Sequence, residues 1–240
     1  MPRQARFIVP GLPHHIVQRG HNRQAVFRGR EDYQYYLDNL AEWKTALGIA
    51  VHAYCLMADC VHLIVSAPDD TSAIPKLMKH LAGRQTRFVN AMTQRSGSLW
   101  ESRYRISPVD TEEFLLPCCR YIELSPVKAA IVEQPEDYLW SSCASRMGLR
   151  KCSWLDNSTI NNLLGGGSKN SGEAYRAYLA DNSADKHDEI IELAIQRNKL
   201  TGGKRFIDNI EQLTGVRIEM RGQGRPRKGQ TGQPADLCAQ

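Results

Sequence analysis

Two hydrophobic periods alternate through the first half of the chain. Residues His14 to Gly20 read as a strand that Gly20 stops. From Glu31 to Leu47 the positions Tyr33, Tyr36, Leu37, Leu40, Trp43 and Leu47 fall at helical spacing, with Gly48 as the stop. Ile49 to Met57 alternates and is β-rich. Ala58-Asp59 makes a turn and Cys60 to Ala67 a second strand, so the pair reads as a hairpin. Ile74 to Met92 returns to helical period, with Leu77, Leu81, Phe88 and Met92 on one face. Arg103 to Val109 is a short strand. Thr111 is placed to cap a helix running through Leu124, with Glu112 and Glu113 near its positive end. Pro117 should kink that helix, and Pro126 blocks its continuation. The order predicts an α+β fold: an antiparallel sheet with helices packed on one face, of the ferredoxin-like kind.

Beyond residue 150 the pattern changes. Gly165-Gly166-Gly167 is a break, and residues 173–181, 185–199 and 203–214 read as three short helices. Residues 216–240 have few large apolar side chains and many Gly, Arg and Gln, the composition of a disordered segment. The expected division is therefore a main domain over 1–150, a small helical accessory region over 151–215, and a basic tail over 216–240.

Composition narrows the function class. A hydrophobic share of 42% rules out wholesale disorder, and no window offers eighteen uncharged apolar residues for a membrane span. The N-terminus has no long apolar stretch, so a cytoplasmic location is expected. The seven cysteines form no C-x-x-C pair, which leaves no zinc-knuckle pattern and no disulfide framework. The net charge of +5 is uneven. Arg217, Arg221, Arg225, Arg227 and Lys228 face Glu219 alone, so most of it sits in the tail. A balanced body with a basic tail suits a polyanion, nucleic acid being the usual one, or simply a solubilising tail.

Candidate chemistry lies at four places. In the strand Cys60-Val61-His62-Leu63-Ile64-Val65, Cys60 and His62 share a face about 7 Å apart at Cα, near enough to converge on one metal. A packed, hydrogen-bonded histidine fits the same pattern. In Arg120-Tyr121-Ile122-Glu123-Leu124-Ser125-Pro126, Tyr121 and Ser125 are four apart on a predicted helix and share a face. Lys76, His80, Arg84 and Arg87 on the 74–92 helix, and Arg19, His21 and Arg23 after the first strand, suit phosphate contacts or an ordinary solvated surface. The tail run Gly224-Arg225-Pro226-Arg227-Lys228 suits an A·T-rich minor groove.

Taken in order, several segments resemble the REP-associated tyrosine transposases, single-tyrosine proteins of the HUH type. The matching stretches are His14-His15-Ile16-Val17-Gln18-Arg19-Gly20-His21-Asn22-Arg23-Gln24, Tyr54-Cys55-Leu56-Met57, Val61-His62-Leu63 and Leu99-Trp100-Glu101-Ser102-Arg103-Tyr104. Arg120-Tyr121-Ile122-Glu123-Leu124, Pro135 to Ser142 and the terminal Gly-Arg-Pro-Arg-Lys follow. The resemblance covers about residues 5–150 closely.

The resemblance implies a ferredoxin-like HUH core and a metal-assisted cleavage and rejoining of single-stranded DNA at imperfect hairpins. Tyr121 would be the nucleophile, forming a 5′-phosphotyrosine, with His62 at the metal. Cys60 and Ser125 occupy the other ligand positions, and Arg19, Arg23, Arg84, Arg87, Arg225, Arg227 and Lys228 would contact DNA. The expected cofactor is Mg²⁺ or Mn²⁺, with zinc as the ion that Cys60 suits better. Relatives carry Asn-His where this chain carries Asp59-Cys60, and Asn where it carries Ser125. A catalytically weakened hairpin-binding protein is therefore the alternative expectation, and a regulator working through its tail a third. The expected setting is cytoplasmic and nucleoid-associated, without membrane contact; a homodimer is compatible with the sequence but not called for.

Overall fold

The computed structural model describes residues 6–68, 70–165, 171–181 and 186–216. The chain runs β1 (Pro13–Arg19), α1 (Arg30–Ala46), β2 (Ala50–Met57), β3 (Cys60–Ser66), α2 (Ala73–Met92), β4 (Arg105–Pro108), α3 (Leu115–Glu123), α4 (Ser125–Lys128), α5 (Cys143–Arg146), α6 (Ser158–Leu163), α7 (Ser171–Ala180), α8 (Asp188–Arg197) and α9 (Lys204–Thr214). The four strands form one antiparallel sheet in the order β2-β3-β1-β4. The hairpin, the two long helices and the antiparallel α+β class stand as the sequence predicts.

Helices cover both faces of the sheet rather than one. On the first face Ile16, Val61, Leu63 and Val65 pack under Tyr36 and Leu40 of α1 and Leu77 and Leu81 of α2. On the second, Ala53, Cys55 and Ile64 pack under Leu115, Cys118 and Ile122 of α3 and Ile191 of α8. The reason lies in β3, whose second face (Cys60, His62, Ile64) carries no charge and must also be covered.

The 111–124 helix begins later than predicted. Thr111 does not cap it: residues 111–114 form a turn, in which Asp110 Oδ1 accepts from Glu112 N at 3.0 Å, and the N-cap is Phe114, with no side-chain cap bond. Regular helix starts at Leu115, so Pro117 falls in the first turn. There its missing N–H would have had no intrahelical partner, and no kink is needed. The segment beyond 150 is built into the same cores through Leu155, Ile160 and Ile191. Thr201 forms a parallel bridge with Val109 beside β4. No helix among the described residues is long and apolar enough to cross a membrane.

Candidate active site

Strand register assembles the site on the second face. β1 and β3 pair so that Arg19 lies opposite Cys60, Val17 opposite His62 and His15 opposite Ile64. Directly opposed residues share a face, so Arg19, Val17, His15, Cys60 and His62 all point toward α3. Arg105 of β4 joins them, opposite Val17 on the other side. The hydrophobic alternation of β3 is thus what aims His62 at Tyr121.

His62 does not stand alone. Its Nδ1 lies 3.2 Å from Nε2 of His15, and the two rings stack with centroids 5.5 Å apart. The His15 ring in turn meets the Tyr121 ring edge-on at 6.1 Å. Burial holds both imidazoles neutral. It pushes His62 down to about 4, helped by the nearby Arg19 charge, and His15 well below its ordinary value, helped by His62. The Nδ1 of His15 is buried without a partner.

Tyr121 is half-buried on α3, and its phenol is pushed up to about 12. Burial is the main cause, the carboxylates of Glu192 and Asp188 add to it, and Arg19 opposes it. The helix under it is anchored by Glu123, whose carboxylate is fully buried. Its Oε1 accepts from Arg146 Nη2 at 3.1 Å and from Ser142 Oγ, while its Oε2 accepts from the Tyr175 hydroxyl at 2.5 Å. Arg146 Nη2 also donates to the His52 carbonyl at 2.5 Å. Two residues from the phenol, the α3 backbone is therefore tied to β2, α5 and α7 at once.

One cleft brings the groups together. Val17, Arg19, His62, Arg103, Arg105 and Tyr121 line it, with Glu101 on one side and Glu192, Ile195 and Gln196 of α8 forming a wall. Its volume is about 70 Å³. α8 is held there by Arg105 Nη1 donating to the Gln196 carbonyl at 2.9 Å and by an ion pair between Lys128 and Asp188.

The other predicted residues fall in several places. Arg19, His62 and Tyr121 share the cleft. Cys60 shares the strand face but does not line the cleft. Ser125 stands past the end of α3, and its hydroxyl donates to the Tyr121 carbonyl at 3.1 Å. Arg23 is exposed in the turn after β1, with φ of 56°. Arg84 and Arg87 belong to α2, which covers the opposite face of the sheet. Arg84 is engaged there, donating to Glu42 and Asn39 of α1 in a bidentate clamp between helices; its role is packing α1 on α2 rather than facing the cleft. Arg225, Arg227 and Lys228 lie outside the described residues, as does the tail from 217. Sequence reasoning missed His15, Arg103, Arg105 and Glu192 as site residues. Strict alternation along β1 puts His15 and Arg19 on one side, which was the available signal for the first.

The divalent ion that the family resemblance implies finds a poor donor set here. Burial, with Asp59 beside it, pushes the Cys60 thiol up to about 12, so it stands protonated. A thiol is a poor donor for a hard cation. The Ser125 hydroxyl is turned back to the Tyr121 carbonyl of α3, and the His62 Nδ1 is occupied by His15. Among the described residues no three His, Cys, Asp or Glu side chains gather where they could hold a metal ion. The set Cys60, His62 and Ser125 does not fit a Mg²⁺ or Mn²⁺ site, nor does it complete one for zinc.

Residues 8–125 match the family model of IS200-like transposases. This segment is an IS200-like transposase domain. Its span runs from just before β1 to Ser125, so it includes every strand of the sheet and the helix bearing Tyr121. Among solved structures the chain is similar to a REP-associated tyrosine transposase bound to a REP hairpin, at 16% identity and a TM-score of 0.50, over 65% of this chain and 98% of that one. A Deinococcus radiodurans R1 protein provisionally described as a transposase matches at 23% identity and a TM-score of 0.35, over 54% of this chain and 92% of that one. At these identities the first likeness establishes the fold of the transposase domain. No curated protein matches the chain.

Proposed function

We propose that this transposase domain cleaves and rejoins single-stranded DNA at hairpin-forming repeats through a covalent link to Tyr121. The observation that carries the reading is the cleft itself: one phenol, one neutral imidazole and three guanidinium groups line a single opening. Phenol and imidazole are a nucleophile and a hydrogen-bonding partner for phosphate, and the cations suit a polyanionic strand. The family match and the REP hairpin held by the similar solved structure support DNA as the substrate.

In the step itself the Tyr121 Oη attacks the scissile phosphorus. An O–P bond forms and the P–O3′ bond breaks, which leaves a 5′-phosphotyrosine and a strand ending in a 3′-hydroxyl. The phenolic proton leaves to water, and the departing O3′ takes one up. The reverse attack by another 3′-hydroxyl restores a phosphodiester, so no outside energy source is needed. His15 holds His62 in place, and Glu123 holds the turn of α3 that carries the phenol.

The test is a labelled single-stranded hairpin incubated with the full chain, followed by a denaturing gel. A shifted covalent band that disappears in Tyr121→Phe is expected. A second reading, hairpin binding without turnover, is favoured by Cys60 and Ser125 standing at ligand positions. It expects tight, salt-dependent DNA binding and no band from the wild-type protein.

A further inference from the structure

We infer that Arg19 is a catalytic residue of this site: its guanidinium holds the scissile phosphate against Tyr121 and supplies the positive charge that the Cys60, His62 and Ser125 set cannot gather from a hard cation. The inference rests on the reading of Tyr121 as nucleophile.

Four observations place Arg19 in that role. Its strand partner is Cys60, so its side chain leaves the sheet beside the position where relatives carry a histidine. It lines the cleft with Tyr121 and His62. Its main chain is fixed: its carbonyl accepts from Glu101 N at 3.0 Å, and the next residue, Gly20, donates to the Asp59 carbonyl at 2.7 Å. A Cβ on Gly20 would meet the Gln24 carbonyl oxygen at 2.1 Å, so only glycine closes this turn. Finally, the guanidinium itself makes no hydrogen bond or ion pair among the described residues. Its cleft neighbour Arg105, by contrast, donates to the Gln196 carbonyl. A fixed main chain thus places an uncommitted head at the cleft, exposed to solvent.

The chemistry suits the place. A guanidinium offers a planar fork of N–H donors to two non-bridging phosphate oxygens, and it cannot lose its proton in doing so. His62 completes the clamp. If His15 Nε2 donates to His62 Nδ1, the buried atom that the pair leaves unsatisfied is an acceptor, His15 Nδ1; the opposite arrangement strands a buried N–H, which is rarer. His62 then carries its proton on Nε2, the ring nitrogen left for the cleft, and donates to the phosphate. During the step Arg19 and His62 keep their protons. The Tyr121 O–P bond forms, the P–O3′ bond breaks, and the two proton transfers go through water. Glu101 and Glu192 line the same cleft and oppose the anion, which leaves the arginines to set its sign.

The experiment uses the full chain, a labelled single-stranded hairpin, and buffers with either EDTA or Mn²⁺. Covalent adduct rate and hairpin affinity by fluorescence anisotropy are read for wild type, Arg19→Gln, Arg19→Lys and Tyr121→Phe. Expected are adduct in EDTA by the wild type, a loss of about 100-fold or more in rate for Arg19→Gln, a change in affinity of under about tenfold for the loss of one phosphate contact, and partial recovery with Arg19→Lys. Adduct that forms only with Mn²⁺, or an Arg19→Gln rate within about threefold of wild type, overturns the role of Arg19 while Tyr121 stands. No adduct from the wild type in either buffer overturns the Tyr121 reading, and this inference with it.

Discussion

His15 and His62 stand diagonally across the β1–β3 ladder with their ring nitrogens 3.2 Å apart, both buried and both neutral. One residue of register shift would send both rings to the opposite face of the sheet. His15 is thus a positioning residue: it touches the group that faces the cleft. His15→Ala should leave the His62 ring without its partner. We expect the adduct rate to fall about tenfold or more, with a stability loss of about 1–3 kcal/mol. His15→Gln, which keeps a polar group near His62 Nδ1, should recover part of the rate. Adduct kinetics beside thermal melts separate the two effects.

The phenol of Tyr121, raised to about 12, sets the pH profile. Below that value the reactive phenolate fraction grows with pH, so the adduct rate should climb through the neutral and mildly alkaline range. Glu192 on the α8 wall contributes to the raised value. Glu192→Gln should therefore increase the rate at neutral pH and tighten DNA binding by a few-fold, since it removes one anion from the phosphate's path. A flat profile, or a slower Glu192→Gln variant, would show that α8 does not act on the phenol in this way.

Acid should unfold the protein through its buried histidines. Burial pushes His14, His52 and His62 each to about 4, and His15 further below its ordinary value. Between the ordinary histidine value of about 6.5 and about 4, the unfolded chain binds protons that the folded chain does not. Stability is thus fully present above about 6.5 and is lost as pH falls toward 4. One unit of depression is worth about 1.4 kcal/mol, and several histidines contribute, so a melting temperature lower by at least about 10 °C at pH 4.5 than at pH 7 is expected. Equal melting temperatures at the two pH values would contradict this.

Glu123 supports the site from below. It is fully buried, paired with Arg146, and accepts from Ser142 and Tyr175. Removing one member of such a pair leaves an uncompensated charge, so Glu123→Ala should cost about 3–5 kcal/mol. Denaturant unfolding measures it. A loss under about 1 kcal/mol would mean that the network does not anchor α3.

Local patterns carried the fold well and the site in part. Strict alternation along β3 is enough to put Cys60 and His62 on one face, and helical spacing is enough to put Tyr121 on a helix. What no local pattern carries is which strand lies beside which. His15 is 47 residues from His62, and only the β1–β3 register makes them neighbours. The α8 wall is hidden for the same reason, since Glu192 reaches the cleft from beyond the transposase domain. Arg84 looked like a surface cation because its partner, Glu42, sits one helix away. Pro117 reads as a kink only if Thr111 caps the helix; with Phe114 at the N-cap, Pro117 falls in the first turn.

The covalent role of Tyr121 is tested most directly by where DNA becomes attached. The wild-type chain is incubated with a single-stranded hairpin, the adduct digested with protease and nuclease, and the nucleotide-bearing peptide sequenced by mass spectrometry. The expected result is a phosphodiester-linked nucleotide on Tyr121, joined through its 5′ phosphate. Attachment at any other residue, or at a 3′ phosphate, would contradict it.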